Sequence, residues 1–530
     1  MSRTERHAPW LVFTLAFVFY CYHLLPTVGF IDAPRYTYKA SVLELGIRSI
    51  DHPLFILLAH PLAHIPIGNP AWRVNLASAI FGAVTAGLLM LLLQELLQSR
   101  FAAATAALAS ITSWNLWWSS TEAEVYTLNT TFLVVIYWLV LRFLRRRDGR
   151  YLAAACLAWG LSLVNHQTMV LLLPAMALLI IGSITRCFLP PRSVVVFAAW
   201  FLLGFSMYLI LMGRHVCSHG MEAALAAAAG GEFNTRMLVF PGWPAFFQFF
   251  LRALAVMLCN FDWIHFMIGF GGFSVLWKRD RMFCGFLGVT MASHALFFTS
   301  YQVPDRLFFY LPIYISFVPA IGGGIQRLLA AAANHPRRRL LYMTLVALPV
   351  ITKPISFANS VDVVGEFLEA NKDRMEDVFL PHIHGRDDMQ YYVYPGKRLV
   401  TAGDWYGDVL AGVPPDTVLV DDWYHGYAIL ADYFQGVLHM RPDVMVLRWF
   451  ELFGGTEADK DALEATVRGY IGRRPVCITT TEYPMSTLLE RLLRDDTLTI
   501  DRCGDLYRLT TRPMVDVPAY PDDKRLHKLQ

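Results

Sequence analysis

Thr131-Phe132-Leu133-Val134-Val135-Ile136-Tyr137-Trp138-Leu139-Val140-Leu141-Arg142-Phe143-Leu144-Arg145-Arg146-Arg147-Asp148-Gly149-Arg150 is the stretch on which the fold turns. Its first part is uncharged up to Arg142, and with the residues just before Thr131 it approaches the roughly 20 apolar residues that a spanning helix needs. Five arginines then fall within nine positions, Arg142, Arg145, Arg146, Arg147 and Arg150. A second apolar stretch follows at once, from Tyr151 to Val164. Two apolar helices joined by a short arginine-rich turn form a membrane hairpin with its turn in the cytoplasm.

The same pattern repeats outward from this hairpin. Apolar runs of spanning length recur at 10–30, 71–97, 101–118, 129–145, 151–167, 168–185, 193–213, 261–277, 282–299, 308–329 and 340–356, giving a polytopic, mostly α bundle of about eleven spans. The run 245–260 reads either as an interfacial helix or as part of a longer tilted span. Basic residues cluster in alternate turns: Arg186 with Arg192, Lys278 with Arg279 and Arg281, and Arg337 with Arg338 and Arg339. That alternation places the N-terminus in the cytoplasm and the C-terminal region outside it. No small-residue cleavage site follows the first apolar run, which reads as a retained first span rather than a signal peptide.

Composition agrees. Hydrophobic residues make up 55% and charged residues 16%, against about a quarter charged in soluble domains, and mean hydropathy is +0.42. A net charge of +3 argues against a nucleic-acid partner. There is no GxxxxGK[ST] and no HExxH, so neither a Walker-type nucleotide site nor a zincin site is encoded. From about Phe357 the chain changes character. Short apolar runs such as Thr417–Val420, Val444–Arg448 and Val476–Thr479 alternate with helical periods at 457–473 and 485–494, the signature of a small α/β layer. The expected organisation is a membrane module over 1–357 and an extracytoplasmic α/β domain over 358–530. The eight cysteines form no CxxC pair, and Cys477 with Cys503 could bridge in an oxidising compartment. Gly269–Gly272 and Gly322–Gly324 lie in apolar spans and read as helix-packing positions.

Chemistry is expected where ionisable groups crowd the outer ends of the spans, because such groups are costly there unless used or paired. Asp32 leaves the first span beside an apolar wall, where a carboxylate can serve as a general base, or more plainly cap a helix or pair with Arg35. The first loop also carries Glu44 and Asp51-His52. A second loop sets Glu122, Glu124 and Tyr126 after Trp117-Trp118, and residues two apart cannot share a helix face, which favours Glu124 as the inward one. Asn165-His166 sits in a very short turn, and Tyr301 precedes Asp305-Arg306. Carboxylates, a histidine, an arginine and aromatic rings on one membrane face suit a lipid phosphate and a sugar.

The order of these elements resembles glycosyltransferase family 117. The resemblance rests on Asp32 after span one, His52-Pro53-Leu54, the run Arg73-Val74-Asn75-Leu76-Ala77-Ser78-Ala79, Glu124-Val125-Tyr126-Thr127-Leu128-Asn129 and Asn165-His166-Gln167-Thr168. That group holds the eukaryotic transmembrane O-mannosyltransferase and bacterial relatives. The resemblance implies a GT-C-like bundle in the bacterial inner membrane, with a periplasmic C-terminal domain. It implies inverting transfer of a sugar from a polyprenyl-phosphate-linked donor to a protein or glycan hydroxyl. Asp32 would be the base, Arg306 and Arg35 would face the lipid phosphate, and His52, Glu122, Glu124, Tyr126, Asn165, His166, Tyr301 and Asp305 would line the substrate site. No metal ligand set is expected, although a divalent cofactor is left open. A transporter or lipid-linked-glycan flippase, or a non-catalytic envelope assembly protein, are the competing readings.

Overall fold

The computed structural model describes residues 3–30, 32–229, 242–301, 306–370, 391, 394–422, 427–449, 457–481, 485–494, 497–503 and 506–511. Each apolar run anticipated above contains helix. Eight of the helices among the described residues are long and apolar enough to cross a membrane: Pro70–Leu96, Tyr126–Arg146, Gln167–Thr185, Ser193–His219, Trp243–Arg279, Arg281–Ser300, Leu311–Ala331 and Pro336–Ser360. Arg3–His23, Arg100–Ile111 and Gly149–Asn165 occupy the other three expected runs.

Local chemistry sets the helix ends. In the arginine-rich turn, Arg147 adopts the left-handed conformation that stops Tyr126–Arg146. Asp148 then accepts from Arg150 N at 3.0 Å and starts the next helix. Arg142 pairs with Glu95 of the neighbouring helix, whose carboxylate also accepts from Trp138 Nε1 at 3.0 Å. The ambiguous run 245–260 is the first half of Trp243–Arg279, a helix broken at Asp262, where φ is 58°. The Asp262 carboxylate restarts the second half by accepting from Ile264 N at 2.9 Å and His265 N at 3.0 Å. The Lys353 ammonium donates to the Asn260 carbonyl that the break releases. In the loop after Gly213, Ser193–His219 runs longer than expected and Met221–Ala228 is a short helix; residues 230–241 fall outside the described chain.

The glycine-rich spans pack backbone to backbone. A Cβ on Gly272 would lie 1.7 Å from the Ala320 carbonyl, and one on Gly324 would lie 2.1 Å from that of Ile268. Trp243–Arg279 and Leu311–Ala331 therefore approach as small residues permit in lipid. Gly272→Ala should force them apart at a cost of about 1–3 kcal/mol, read as a lower thermal midpoint in detergent. Gly285→Ala, where nothing lies within 4 Å of the added carbon, should leave that midpoint unchanged; equal midpoints for both variants would refute the packing role.

The chain divides into two compact units, Met1–Gly407 with Ile429–His439, and Asp408–Ala428 with Met440–Gln530. The second unit holds a five-stranded sheet of order β2-β1-β3-β5-β4, with β1 Val418–Asp422, β2 Met445–Trp449, β3 Val476–Ile478, β4 Leu498–Cys503 and β5 Leu506–Thr511. β2, β1 and β3 run parallel, and β5 lies antiparallel to both β3 and β4. Val418, Val420, Trp449, Ile478, Leu488 and Leu492 build its core. Cys477 and Cys503, whose pairing the sequence left open, are both free: Cys477 on β3 and Cys503 on β4 are separated by β5.

Candidate active site

The first outer loop folds into two short helices, Ala33–Val42 and Pro53–Ala63, which pack on each other and on Pro70–Leu96. Pro34 and Pro53 sit in the first turn of each, where a missing N–H costs nothing. Between them Lys39 and Asp51 form a buried ion pair at 2.5 Å, and Asp51 also accepts from Arg48 N at 2.8 Å. Burial alone would raise the Asp51 carboxyl, but the charges of Lys39 and Arg48 pull it below the ordinary value.

Asp32 stands at the N-terminus of Ala33–Val42 and meets the Arg35 guanidinium at 3.4 Å. Its side chain keeps 26% of its surface exposed while Arg35 is buried. His52 lies close enough to feel the charge of Asp32. It is a non-glycine residue at φ 46°, a position that persists only where the surroundings enforce it. The enforcing contacts are visible: Nδ1 lies 2.7 Å from the Asn165 carbonyl, the ring stacks on His166 at 4.9 Å, and Tyr36 packs edge-on at 5.6 Å. Burial pushes the His52 imidazole below its ordinary value, so it is neutral at pH 7. An Nδ1–H donated to the Asn165 carbonyl leaves the lone pair on Nε2.

His166 carries the opposite tautomer. Its Nδ1 accepts from Thr168 N at 3.3 Å and lies 2.8 Å from Thr168 Oγ1, which leaves the proton on Nε2. Its ring lies 5.7 Å from both Tyr126 and Phe309, and Phe309 in turn lies 5.7 Å from Tyr301. Asn165 donates from Nδ2 to the Val125 carbonyl at 3.2 Å. Glu124 is buried, and its backbone is fixed by a reciprocal pair of 2.9 Å bonds with Ser78 Oγ.

His52, Asn165, His166, Tyr126 and Tyr301, with Phe309, are thus joined by a continuous set of contacts, and the Asp32–Arg35 pair stands in the same first loop as His52, near enough for the Asp32 charge to act on that imidazole. Glu122 reaches this set through Tyr391, Trp118 and Phe308. It is fully buried, ion-paired with Lys397 at 2.5 Å and hydrogen-bonded by the Tyr391 hydroxyl. Asp305 lies outside the described residues, and Arg306 opens the short helix Arg306–Phe309 with its side chain undescribed. Phe308 and Phe309 were not anticipated. They form an aromatic wall against Trp114, Trp118 and Tyr126, and the Tyr301–Tyr310 run of aromatics is the sequence signal that marks them. Lys397 was missed too, for it lies nearly 300 positions from Glu122. Among the described residues no group of three or more His, Cys, Asp or Glu side chains is placed to hold a metal ion.

Comparison with known proteins adds three findings. Residues 38–186 match the family model described as the Protein O-mannosyl-transferase TMEM260 N-terminal domain. Protein O-mannosyl-transferase TMEM260 of Mus musculus is 36% identical over 134 residues, 24% of this chain and 19% of the mouse protein. The match therefore spans about a fifth of that relative's length. Among solved structures, ArnT from Cupriavidus metallidurans bound to undecaprenyl phosphate superposes with a TM-score of 0.59 at 11% identity, covering 94% of this chain and 97% of ArnT. The apo form of the same enzyme gives 0.57 at 14% identity, covering 94% and 96%. The chain is a multi-pass membrane protein with the fold of ArnT, and its segment 38–186, which carries His52, Glu124, Tyr126, Asn165 and His166, is similar to the N-terminal domain of an O-mannosyl-transferase.

Proposed function

We propose that this chain is an inverting GT-C glycosyltransferase of the family 117 type, seated in a bacterial inner membrane with its site and its C-terminal α/β domain on the periplasmic side. The donor is a sugar on a polyprenyl phosphate and the acceptor is a hydroxyl of a protein or glycan. The Asp32 carboxylate takes the proton of the acceptor hydroxyl as its oxygen attacks the anomeric carbon. The bond from that carbon to the phosphate oxygen breaks, and the polyprenyl phosphate leaves with the electron pair. Arg35 and Arg306 offset the charge that develops on the phosphate. The two neutral histidines offer the sugar hydroxyls one acceptor and one donor, Nε2 of His52 and Nε2–H of His166, and Tyr126, Phe309 and Tyr301 supply faces for the sugar ring. Glu124 shapes the floor.

One observation carries the reading: the His52–His166 stack joins the first loop, which also carries the Asp32–Arg35 pair, to the turn at Asn165-His166, at the helix ends where the arginine-rich turns are not. The undecaprenyl phosphate in ArnT, whose fold this chain shares, supports the choice of donor. A specific feature favours a flippase as the second reading, the helix break at Asp262 with its His265 contact at 2.6 Å.

The test is transfer by the full chain in vesicles supplied with a polyprenyl-phosphate hexose labelled in the sugar. Label should move to a protein or glycan fraction, with free polyprenyl phosphate released in equal amount. Label that stays on the lipid but changes leaflet would establish the flippase and overturn the transferase.

A further inference from the structure

The pairing of Glu122 with Lys397 has a geometric consequence for Asp32. After the helix Pro336–Ala370 the chain returns to the same unit at Tyr391 and 394–407. There it lies along residues 23–30, the stretch that leads into Asp32. Lys397 N donates to the His23 carbonyl at 2.8 Å, and Gly403 N donates to that of Val28 at 3.2 Å. Thr27 Oγ1 donates to the Asp404 carboxylate. Phe30 N donates to the Tyr391 hydroxyl at 3.1 Å, and that hydroxyl donates onward to Glu122. The strap is tied to the second loop as well. Trp118 Nε1 donates to the Tyr391 carbonyl at 3.3 Å, and Thr121 Oγ1 donates to that of Pro395 at 2.8 Å.

The centre of this strap is charged and dry. The Lys397 ammonium lies 3.3 Å from the Trp118 ring centre and 4.0 Å from that of Tyr391, and Lys397 and Glu122 are both fully buried. Burial raises the Glu122 carboxyl and lowers the Lys397 ammonium to about 8. The approach is so close that a Cβ at Gly29 would stand 2.6 Å from a Glu122 oxygen and 2.8 Å from the Tyr391 hydroxyl. A buried ion pair contributes less to stability than an apolar trio of equal volume. What it supplies is a single geometry, since donor and acceptor must meet at fixed points.

We propose that the strap formed by Tyr391, Glu122 and Lys397 is a positioning device for Asp32: it fixes the backbone at Phe30, two positions upstream, and so sets where the Asp32 carboxylate meets the acceptor hydroxyl. The inference rests on the transferase reading above. In this role the three residues act through the chain that carries the base rather than on the substrate itself. Misplacing a catalytic group by about an ångström costs on the order of a hundredfold in rate.

Tyr391→Phe tests this, because it keeps the ring against Phe30 and Trp118 and removes only the hydroxyl. In the vesicle assay, kcat per folded enzyme should fall by roughly ten- to a hundredfold while the donor KM stays within about twofold, since the donor site is untouched. Thr27→Val, which cuts the strap at its other end, should lower kcat in the same sense, and it carries the test should Tyr391→Phe fail to accumulate. An unchanged kcat in the folded variants, or a raised KM with kcat intact, would overturn the positioning role. Wild-type protein assayed alongside separates the two levels: if it transfers no sugar, the transferase reading fails; if it transfers and the variants match it, only the strap inference fails.

Discussion

Lys397→Met should strip the helical unit of a large share of its stability. The substitution keeps the length of the side chain but leaves the Glu122 carboxylate fully buried, with the Tyr391 hydroxyl in place of a counter-charge. Breaking a buried pair from one side costs about 3–5 kcal/mol, against the 5–15 kcal/mol by which a typical protein is stable. Detergent-solubilised Lys397→Met should therefore show a sharply lowered thermal midpoint or fail to accumulate. Adding Glu122→Gln should restore much of the loss, because an amide still accepts from the Tyr391 hydroxyl and needs no cation. The recovery is the diagnostic part: a single variant as stable as wild type, or a double variant no better than the single, would show that the ion pair is not what the burial demands.

Asp32→Asn should act in the opposite way, abolishing transfer with little change in stability. A positioned general base contributes about 10²–10⁴-fold to rate, and asparagine fills the same space without the capacity to take a proton. The structural penalty is small. Asp32 makes no side-chain cap hydrogen bond to its helix, its side chain is 26% exposed, and its contact with Arg35 at 3.4 Å is a long one. Partly exposed pairs contribute about 0–1 kcal/mol. Transfer from a labelled polyprenyl-phosphate sugar should fall by at least a hundredfold while the thermal midpoint stays near that of wild type. Full transfer by this variant would remove Asp32 from the base role. The contrast with Lys397→Met separates a residue that works on substrate from one that holds the fold.

The candidate site was legible to different degrees at different residues. His52 and His166 were visible as polar groups at the ends of apolar runs, where a side chain that cannot be hydrated must have a partner. Their stacking at 4.9 Å was not visible, because it joins two loops over a hundred positions apart. Glu122 and Glu124 looked equivalent apart from the rule that they cannot share a face. The structure shows Lys397 in a buried ion pair with Glu122. The pairing of Asp32 with Arg35 was one of the readings open to the sequence, and the structure brings the two side chains to 3.4 Å. The boundary between the runs 245–260 and 261–277 was visible, but no proline or glycine marked a break in the backbone at Asp262. Its hydrogen bonds come from the residues two and three positions on and from Lys353 on another helix.

By itself the sequence determined what depends on the neighbouring solvent and on near neighbours in the chain: the apolar spans, their alternating arginine-rich turns, the glycine faces where helices meet and the strand–helix alternation of the C-terminal unit. Each of these is a local response to lipid, water or helix period, so a window of about twenty residues contains its cause. Only the tertiary structure decided which polar groups are paired with one another and which rings stack across distant loops. Glu122 is ion-paired with a lysine from the far end of the unit, and the backbone of Phe30 is bonded by a tyrosine that the chain supplies after its last long helix. Such choices are settled by packing and by the cost of leaving a buried charge alone, and neither is written in the order of residues around them.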